Sequence, residues 1–296
     1  MEVQMKILAM VAISFFLPKG HTEEFIDICD RGIVGELIAE KLGSHCSKVS
    51  VEAMSSLKDL ELYRPDGSDD TTPLKPGAFQ GLSSLEYLRI DNFDHITPGT
   101  FSGLDSLEKL VIDFTDLTTA KPGILTGLDS LKHLDIRSSP IVENPDLSGL
   151  FIGPNSLQSL FINETDLNRI PPGFFKGIEN LISFTIHIGE LSIPDGVIDG
   201  NKLAGLKELR NLKHLGVTQH YIEIVRADTF STLTNLISLS LEYNAITYIE
   251  PDTFKNLKSL ENLDLYENLK GPVDLSETGL RDGVKVCNYG SCYVKK

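Results

Sequence analysis

The chain repeats itself between residues 236 and 268, where Leu236-x-x-Leu239-x-Leu241-x-x-Asn244 is followed 24 residues later by Leu260-x-x-Leu263-x-Leu265-x-x-Asn268. Leucines at the fourth and sixth positions alternate as they do on one face of a short β-strand. A single unit of this size cannot bury its own leucines, so the units are expected to stack on one another.

The same signature occurs nine times along the chain. Its first leucines are Leu57, Leu85, Leu107, Leu131, Leu157, Leu181, Leu212, Leu236 and Leu260. A second apolar column lies six residues before each following unit and consists of Phe79, Phe101, Leu125, Phe151, Phe175, Leu206, Phe230 and Phe254. Two columns in one register indicate an internal repeat rather than coincidence.

On these two columns the chain resembles the leucine-rich repeat proteins of the extracellular subtype, over residues 57–268. The resemblance implies an α/β repeat solenoid with the shape of a horseshoe. Its parallel β-sheet would form the concave face, and turns and short helices would form the convex face. Nine leucine-rich repeats are therefore predicted for residues 57–268.

The first 22 residues are typical of an export signal. An apolar run of 11 residues, 7–17, follows Lys6 and is too short to cross a bilayer as a helix. We predict a signal peptide over residues 1–22 with cleavage after Thr22. No second long apolar run follows. The mature protein is thus expected to be secreted or extracytoplasmic, without membrane insertion, and in the periplasm or on the cell surface if its source is bacterial.

Residues 23–56 are predicted to form a helical N-terminal cap over the first unit. Asp30 is the expected N-cap of its helix and Gly43 the expected end. Between them, apolar residues follow helical spacing at Ile33, Val34, Leu37, Ile38 and Leu42. The string Cys29-Asp30-Arg31, the helix and Cys46 look like the cap of predicted exported bacterial leucine-rich repeat proteins. They differ from the animal extracellular cap, in which several cysteines are clustered.

The four cysteines fall in two pairs, one at each end of the array. Cys29 and Cys46 bracket the predicted helix, whereas Cys287 and Cys292 flank a turn whose alternating apolar neighbours indicate a hairpin. Neither gap matches the C-x-x-C spacing of a metal site, and an exported chain favours disulfides. We predict the pairs Cys29–Cys46 and Cys287–Cys292, with residues 269–296 as a C-terminal cap hairpin.

Composition and motifs exclude several classes of function. The formal net charge is -15, whereas a nucleic-acid-binding surface needs a basic stripe. The sequence contains no G-x-S-x-G, H-E-x-x-H or P-loop motif. The acidic loop 66–70 lacks the spacing of a calcium loop. His133, His187 and His214 fall in different columns and form no metal triad. We therefore expect no enzyme activity, no cofactor, no metal and no nucleic-acid partner.

The third, fifth and seventh positions of each unit are expected to face outward from the concave sheet. In the first five units these positions hold charges of both signs together with aromatic residues, a mixture typical of protein-binding surfaces. The predicted ligand-binding residues are Tyr63, Tyr87, Arg89, Asp91, Lys109, Asp113, Arg137 and Phe161. An alternative interpretation is a solvated face whose charges cancel between neighbouring strands.

Two further features qualify this surface. Asp91 and Asp113 fall in one column, and Arg89 and Arg137 are expected to neutralise them, which disfavours a metal or catalytic pair. The only glycosylation sequon begins at Asn163 on the concave face. Either a ligand binds elsewhere or the source does not glycosylate this site.

The ninth position of a unit normally holds Asn, which bonds to the backbone where the strand turns outward. Here that position holds Pro65, Phe93, Thr115, Ser139, Thr165, Gly189, His220, Asn244 and Asn268. Since Pro, Phe and Gly cannot replace the amide, the first, second and sixth units are expected to be irregular. The sixth unit also has extra residues, of which 201–206 are predicted to add a helical turn on the convex side.

The sequence as a whole predicts an exported, non-enzymatic protein that binds a protein or glycan partner through its concave face. Two alternatives remain open. One is a structural component of an envelope or matrix without a single specific ligand, and the other is a non-catalytic subunit of a secreted complex.

Overall fold

A computed structural model describes residues 23–65, 73–139, 141, 148–163, 173–187, 197–198, 204–268 and 271–296. The predicted signal peptide, the acidic loop 66–70, and Thr165 and Gly189 at the ninth position lie outside these residues. Residues 201–203 of the predicted helical turn also lie outside them, and the described part of that segment is a 3-10 helix, Ala204–Glu208.

The N-terminal segment covers the first repeat with two short strands and two helices. These are β1 (Phe25–Ile26), α1 (Ile33–Lys41), β2 (Val49–Ser50) and α2 (Val51–Ser56), and β1 pairs antiparallel with β2. Helix α1 buries Val34 and Ile38 against the core. Gly35 permits this close packing, because a Cβ at that residue would lie 2.0 Å from the carbonyl oxygen of Ile28.

The predicted ends of α1 are half right. The prediction that Asp30 is the N-cap is wrong, since Asp30 lies in a separate 3-10 turn and Gly32 directly precedes the helix. Gly43 does end it, with a φ of 63°. The N–H of Gly43 donates to the carbonyl oxygen of Glu40 at 2.9 Å, and the N–H of Ser44 donates to that of Ala39 at 2.8 Å.

All nine predicted repeat strands are present in one sheet, beginning at the third position of each signature. They are β3 (Asp59–Tyr63), β4 (Tyr87–Asp91), β5 (Lys109–Asp113), β6 (His133–Arg137), β7 (Ser159–Asn163), β8 (Ser183–His187), β10 (His214–Thr218), β12 (Ser238–Ser240) and β14 (Asn262–Leu265). Each pairs in parallel with its neighbours, in register with the repeat. This confirms the solenoid and the parallel sheet.

The core lies between this sheet and the returning segments. The leucines and isoleucines at the fourth and sixth positions are buried, as is every described member of the second apolar column. Where two successive members of that column are phenylalanines, their rings can stack. The ring centroids of Phe79 and Phe101 lie 5.9 Å apart, and those of Phe230 and Phe254 lie 6.2 Å apart. Since each repeat buries its apolar surface on the next, the core is continuous.

A second, smaller sheet lies on the returning side of the later repeats. Its strands are β9 (Val197–Ile198), β11 (Ile224–Val225) and β13 (Tyr248–Ile249), which pair in parallel. The returning segments of the first two repeats share one isolated parallel bridge, Leu74 with Ile96, and the other described returning segments consist mainly of turns. The later repeats are therefore more regular than the earlier ones.

The C-terminal end of the main sheet is a hairpin of β15 (Lys285–Asn288) and β16 (Ser291–Val294). Strand β15 pairs in parallel with β14 and antiparallel with β16. The predicted disulfides are both present, Cys29–Cys46 in the N-terminal segment and Cys287–Cys292 across the hairpin. All four cysteines are thereby used.

Among the described residues, the ninth position has its full hydrogen-bonding role in the last two repeats. The Oδ1 of Asn244 accepts from the N–H groups of His220 and Ile222, at 2.9 and 3.2 Å. Its Nδ2 donates to the carbonyl oxygens of Val217 and Leu241, both at 2.9 Å. A single amide thus joins two successive repeats inside the core. Asn268 repeats the arrangement one unit later.

Earlier ninth-position residues satisfy the backbone less completely. Thr115 and Ser139 form a short hydroxyl relay, in which the N–H of Thr115 donates to the Oγ of Ser139 at 3.1 Å. Phe93 fills the same place with an apolar ring, and the Arg64 guanidinium lies over that ring at 5.2 Å. His220 is fully buried and shares a hydrogen bond of 3.2 Å between its Nε2 and the carbonyl oxygen of Ile186.

Candidate binding surface

The regular register places the third, fifth and seventh positions of successive repeats side by side on the concave face. In the third column Tyr87 pairs with Lys109, and in the fifth Arg89 pairs with Val111. In the seventh column Tyr63, Asp91 and Asp113 lie on three neighbouring strands. The eight predicted ligand-binding residues therefore lie on one continuous surface formed by β3 to β7.

The exposure of these residues differs widely. Tyr63 is exposed. The half-buried members are Tyr87, Arg89, Lys109, Arg137 and Phe161. Asp91 and Asp113 are only 9% and 5% exposed. Sequence reasoning expected all eight in water, but neighbouring side chains cover the two carboxylates. They can support a partner's contact surface but offer it little area themselves.

Arg89 is the centre of an ionic cluster. Its Nη2 donates to the Oδ2 of Asp91 at 2.9 Å and to the Oδ2 of Asp113 at 2.8 Å. The guanidinium also lies over the ring of Tyr63 at 5.2 Å, and the Tyr63 hydroxyl donates to Glu61 at 3.0 Å. One cation thus bridges the two aspartates, as predicted for mutual neutralisation.

The electrostatics follow from these contacts. The hydrogen bond to Glu61 raises the pKa of Tyr63, and burial raises the pKa of Tyr87. Partial burial lowers the pKa of Arg89, but the hydrogen bond to Asp91 and the charges around it outweigh that effect and leave the pKa raised. Arg89 therefore stays charged and holds the cluster together.

Arg137 belongs to a second cluster rather than to the first. It donates to Asp135 at 2.9 Å, and Lys109 lies 3.5 Å from the same carboxylate. Arg137 is the register partner of Asp113 on the neighbouring strand, as expected, but it forms its ion pair with Asp135 rather than with Asp91 or Asp113. The reason is its own strand neighbour two residues earlier, which takes up the guanidinium. Phe161 is the register partner of Asp135 on the next strand.

At several positions the concave face of the later repeats carries smaller side chains than that of the earlier repeats. Gly216 pairs with Thr185, and a Cβ at Gly216 would lie 3.0 Å from the threonine side chain. Farther along, Glu242 and Asp264 share a hydrogen bond, and burial together with this carboxylate raises the pKa of Glu242. This half of the sheet therefore presents several small side chains and an acidic pair, together with the exposed His214 and Tyr266.

Sequence reasoning missed a further column at the eighth position of each unit. Its described members from the second unit onward all have a positive φ between 43° and 60° and are Asn92, Phe114, Ser138, Gln219, Tyr243 and Glu267. We call this column the rim, since it lies where the chain leaves the concave sheet. Phe114 is 62% exposed and Tyr243 is 47% exposed. The signal for the rim in the sequence is the position itself, because a side chain there cannot point into the core.

The opposite edge of the sheet carries a broad cleft of about 550 Å³. It is lined by Asn180, Ile182, Asn211, Lys213, Asn235, Ile237 and Ser259. Its amides are partly engaged, since Asn211 donates to Asn180 at 3.3 Å and Asn235 donates to the carbonyl oxygen of Arg210 at 2.7 Å.

The remaining predicted features have simple surroundings. In the described part of the chain, ligand atoms suited to a metal ion come together at Cys29, His45 and Cys46, but both sulfurs belong to the disulfide. His187 contacts Thr218 at 3.2 Å. Asn163 lies at the end of β7 on the concave face, and the rest of its sequon is outside the described residues. No helix within the described ranges is long and apolar enough to cross a bilayer.

Comparison with known families gives two sequence matches. The family described as BspA type leucine rich repeat region matches residues 52–144 and 72–204, which together cover just over half of the chain. The family described as leucine rich repeat matches residues 210–269. A search of curated protein sequences finds no match.

Solved structures share the fold at low sequence identity. The Drosophila Toll–Spatzle complex matches 73% of the chain with a TM-score of 0.54 and 20% identity, and the mouse RP105/MD-1 complex matches 77% with a TM-score of 0.56 and 16% identity. The TLR13–ssRNA13 complex matches 83% with a TM-score of 0.51 and 21% identity. The chain spans 28%, 41% and 39% of the lengths of these three matched chains.

Proposed function

The chain belongs to the leucine-rich repeat family, and from this premise we propose that it is an exported, non-enzymatic protein that binds a protein partner through the concave face of its first five repeats. The single observation that carries the proposal is the unbroken register of β3 to β7. That register gathers exposed aromatic and basic side chains on one surface, where such residues commonly anchor a partner.

The ionic clusters prepare this surface for binding. Arg89 is held by Asp91 and Asp113, and Asp135 holds both Arg137 and Lys109. Side chains that are already fixed lose less conformational entropy when a partner binds. The half-buried aromatic rings of Tyr87 and Phe161 would then supply apolar contact area between the charges.

Export is supported by the apolar run near the N-terminus and by the two disulfides, which persist in oxidising compartments. A nucleic-acid partner is disfavoured by the net charge of -15, although TLR13 carries single-stranded RNA in its complex. A glycan partner is the alternative within the same proposal, and competition with free oligosaccharides would reveal it.

The test is affinity capture from the surface and secreted fractions of the source organism. The protein lacking residues 1–22 serves as bait beside the triple variant Tyr87→Ser, Arg89→Gln, Phe161→Ser. We expect the captured partner to be lost with the triple variant. Since Arg89 also supports the fold, a second variant, Lys109→Ser, Arg137→Ser, Phe161→Ser, leaves its cluster intact and should also lose the partner.

The matched control changes the later repeats instead, with Ser183→Ala, Thr218→Ser and Ser238→Ala. Circular dichroism and thermal melting establish that every variant is folded. Retention of the partner by both concave variants would refute the proposal. Concentration-dependent assembly that survives these changes would support a structural envelope or matrix component in its place.

A further inference from the structure

A cleft of about 520 Å³ lies between the first and third repeats, at the end of their strands. It is lined by Tyr63, Arg64, Pro65, Asp91, Asn92 and Phe114. Three of these residues, Arg64, Asn92 and Phe114, occupy the eighth position of their units. The cleft therefore joins the rim to the predicted concave surface.

Two exposed aromatic side chains line this cleft. Tyr63 is 47% exposed and Phe114 is 62% exposed. Large exposed aromatic residues are costly to leave in water, and their rings attract cations as well as apolar groups. The cleft thus has the walls of a cation-binding site.

Negative charge is in excess beside these walls. Asp91 lines the cleft, and among the residues that the structure describes Arg89 is the cation that contacts both Asp91 and Asp113. Two carboxylates and one guanidinium leave a net charge of about -1 at pH 7. The Oδ1 of Asp113 is buried and has no hydrogen-bond partner within the described ranges.

The basic residue at the cleft does not cancel this excess. Arg64 donates to Asp94 at 2.6 Å and lies over the ring of Phe93 at 5.2 Å. Its side chain is only 5% exposed, so it presents little positive surface to a ligand. The local imbalance has the same sign as the net charge of the whole chain, which would steer a basic partner toward this face.

We propose that this cleft receives a lysine or arginine side chain of the protein partner. The inference rests on the proposed function and adds the chemistry of the partner. The cation would lie against the ring of Phe114 and interact with the carboxylate of Asp91, while Tyr63, whose ring already lies under the Arg89 guanidinium at 5.2 Å, forms the opposite wall. Phe114 then has a role that the fold does not require, since a bulky residue with a φ of 43° is strained and its ring is exposed.

The test uses two matched peptides, acetyl-Ala-Ala-Lys-Ala-Ala-amide and the same peptide with norleucine in place of lysine. Each is titrated into the ¹⁵N-labelled protein, and the backbone amide signals of Asn92 and Phe114 are followed by NMR. We expect saturable shifts at these amides with the lysine peptide. The norleucine peptide should bind about three- to tenfold more weakly, as expected for a cation beside aromatic rings.

Three variants sharpen the result. Phe114→Ser copies Ser138, which has nearly the same backbone conformation one repeat later, and Asp91→Asn removes the charge at nearly constant volume. Both should reduce the affinity for the lysine peptide to that for the norleucine peptide. Tyr243→Ser removes an exposed aromatic residue from the same rim far from the cleft and should change nothing.

Equal affinity for the two peptides would overturn the proposal and indicate an apolar docking site. Absence of saturable shifts, or shifts centred on Tyr243, would overturn it as well. The outcome is separable from that of affinity capture. If the partner is lost with the concave variants but is still captured by the Phe114→Ser variant, the proposed function stands and the cation site is refuted. If the lysine peptide binds at the cleft but the concave variants still capture the partner, the cleft binds a cation and the proposed function is refuted.

Discussion

Residues 85–139 and residues 212–268 follow the same backbone path but place their polar groups on different sides of the sheet. In the later repeats the buried amides of Asn244 and Asn268 join neighbouring units inside the core. In the earlier repeats hydroxyl groups or an apolar ring replace these amides, and the stronger polar contacts lie on the concave face, where the ion pairs of Arg89 join two neighbouring strands.

The difference teaches that one repeat pattern can support two kinds of region. Buried amide side chains hold the later repeats together inside the core, and many positions of their concave face carry small side chains. The earlier repeats carry part of their polar network on the surface, where a partner can contact it. We infer that the later repeats mainly provide a rigid frame for the binding surface of the earlier ones.

The largest expected effect comes from removing an amide of the later core. Asn244→Leu leaves several buried backbone groups without partners and should lower the free energy of unfolding by about 3 to 5 kcal/mol. Ser139→Ala at the same position of an earlier repeat should cost about 1 to 2 kcal/mol, because one N–H loses its acceptor. Urea denaturation measures both. Equal losses in the free energy of unfolding would contradict the proposed difference between the two regions.

The surface network of the earlier repeats is tested by Arg89→Met. Asp91 and Asp113 would lose their shared cation, and stability should fall by about 2 to 3 kcal/mol, less than for a fully buried pair because a quarter of the Arg89 side chain is exposed. Arg137→Met is the matched control. Its side chain is 40% exposed, and the expected loss is below about 1 kcal/mol. A similar loss in both variants would contradict a special role for Arg89.

The first of the later repeats, which contains His220, is expected to be sensitive to acid. Burial lowers the pKa of His220 to about 3, whereas an unfolded chain restores a value near 6.5. The folded state therefore binds fewer protons between these values, and its stability falls as the pH is lowered through this window. From pH 7 to pH 5 the loss from this one group is about 2 kcal/mol.

His220→Asn should remove this part of the pH dependence and extend the amide ladder by one repeat. Unfolding is measured in urea at pH 7 and pH 5, so that the carboxylates common to both proteins cancel. The exposed His133 provides the control, since His133→Asn should keep the wild-type difference between the two pH values. An unchanged difference in His220→Asn would show that His220 is not the source.

The smallest expected effect is a gain in stability at the rim. Phe114→Asn places a residue that tolerates a positive φ at a strained and exposed position, and should stabilise the fold by about 0.5 to 1 kcal/mol. Asn92 already occupies the equivalent position one repeat earlier. The same substitution should lower the affinity for the lysine peptide, so the stability of the protein and its affinity for the peptide would change in opposite directions. A loss of stability would mean that the Phe114 ring contributes to packing.

The strands and their register could be predicted because they follow from the repeat alone. Leucines at fixed spacing leave one way to bury themselves, and each strand begins where the signature places its third residue. The two disulfides followed from chain order and compartment. These features depend on patterns that many residues share.

The remaining features depend on single side chains. The burial of Asp91 and Asp113 arises because Arg89 lies across both, and no periodicity reveals such a contact. Arg137 turns to Asp135 for the same kind of local reason. The rim was missed because its residues share a backbone conformation and not a chemical type. The start of α1 was misplaced because Gly32, not Asp30, provides the change of direction.

The two disulfides lie near opposite ends of the array, and each closes a loop within its own terminal segment. Since the chain has only four cysteines, no covalent cross-link ties one repeat to the next. Under a pulling force applied at its two ends, the array should therefore lengthen stepwise as neighbouring units separate, whereas the two loops closed by disulfides, with sequence separations of 17 and 5, cannot extend.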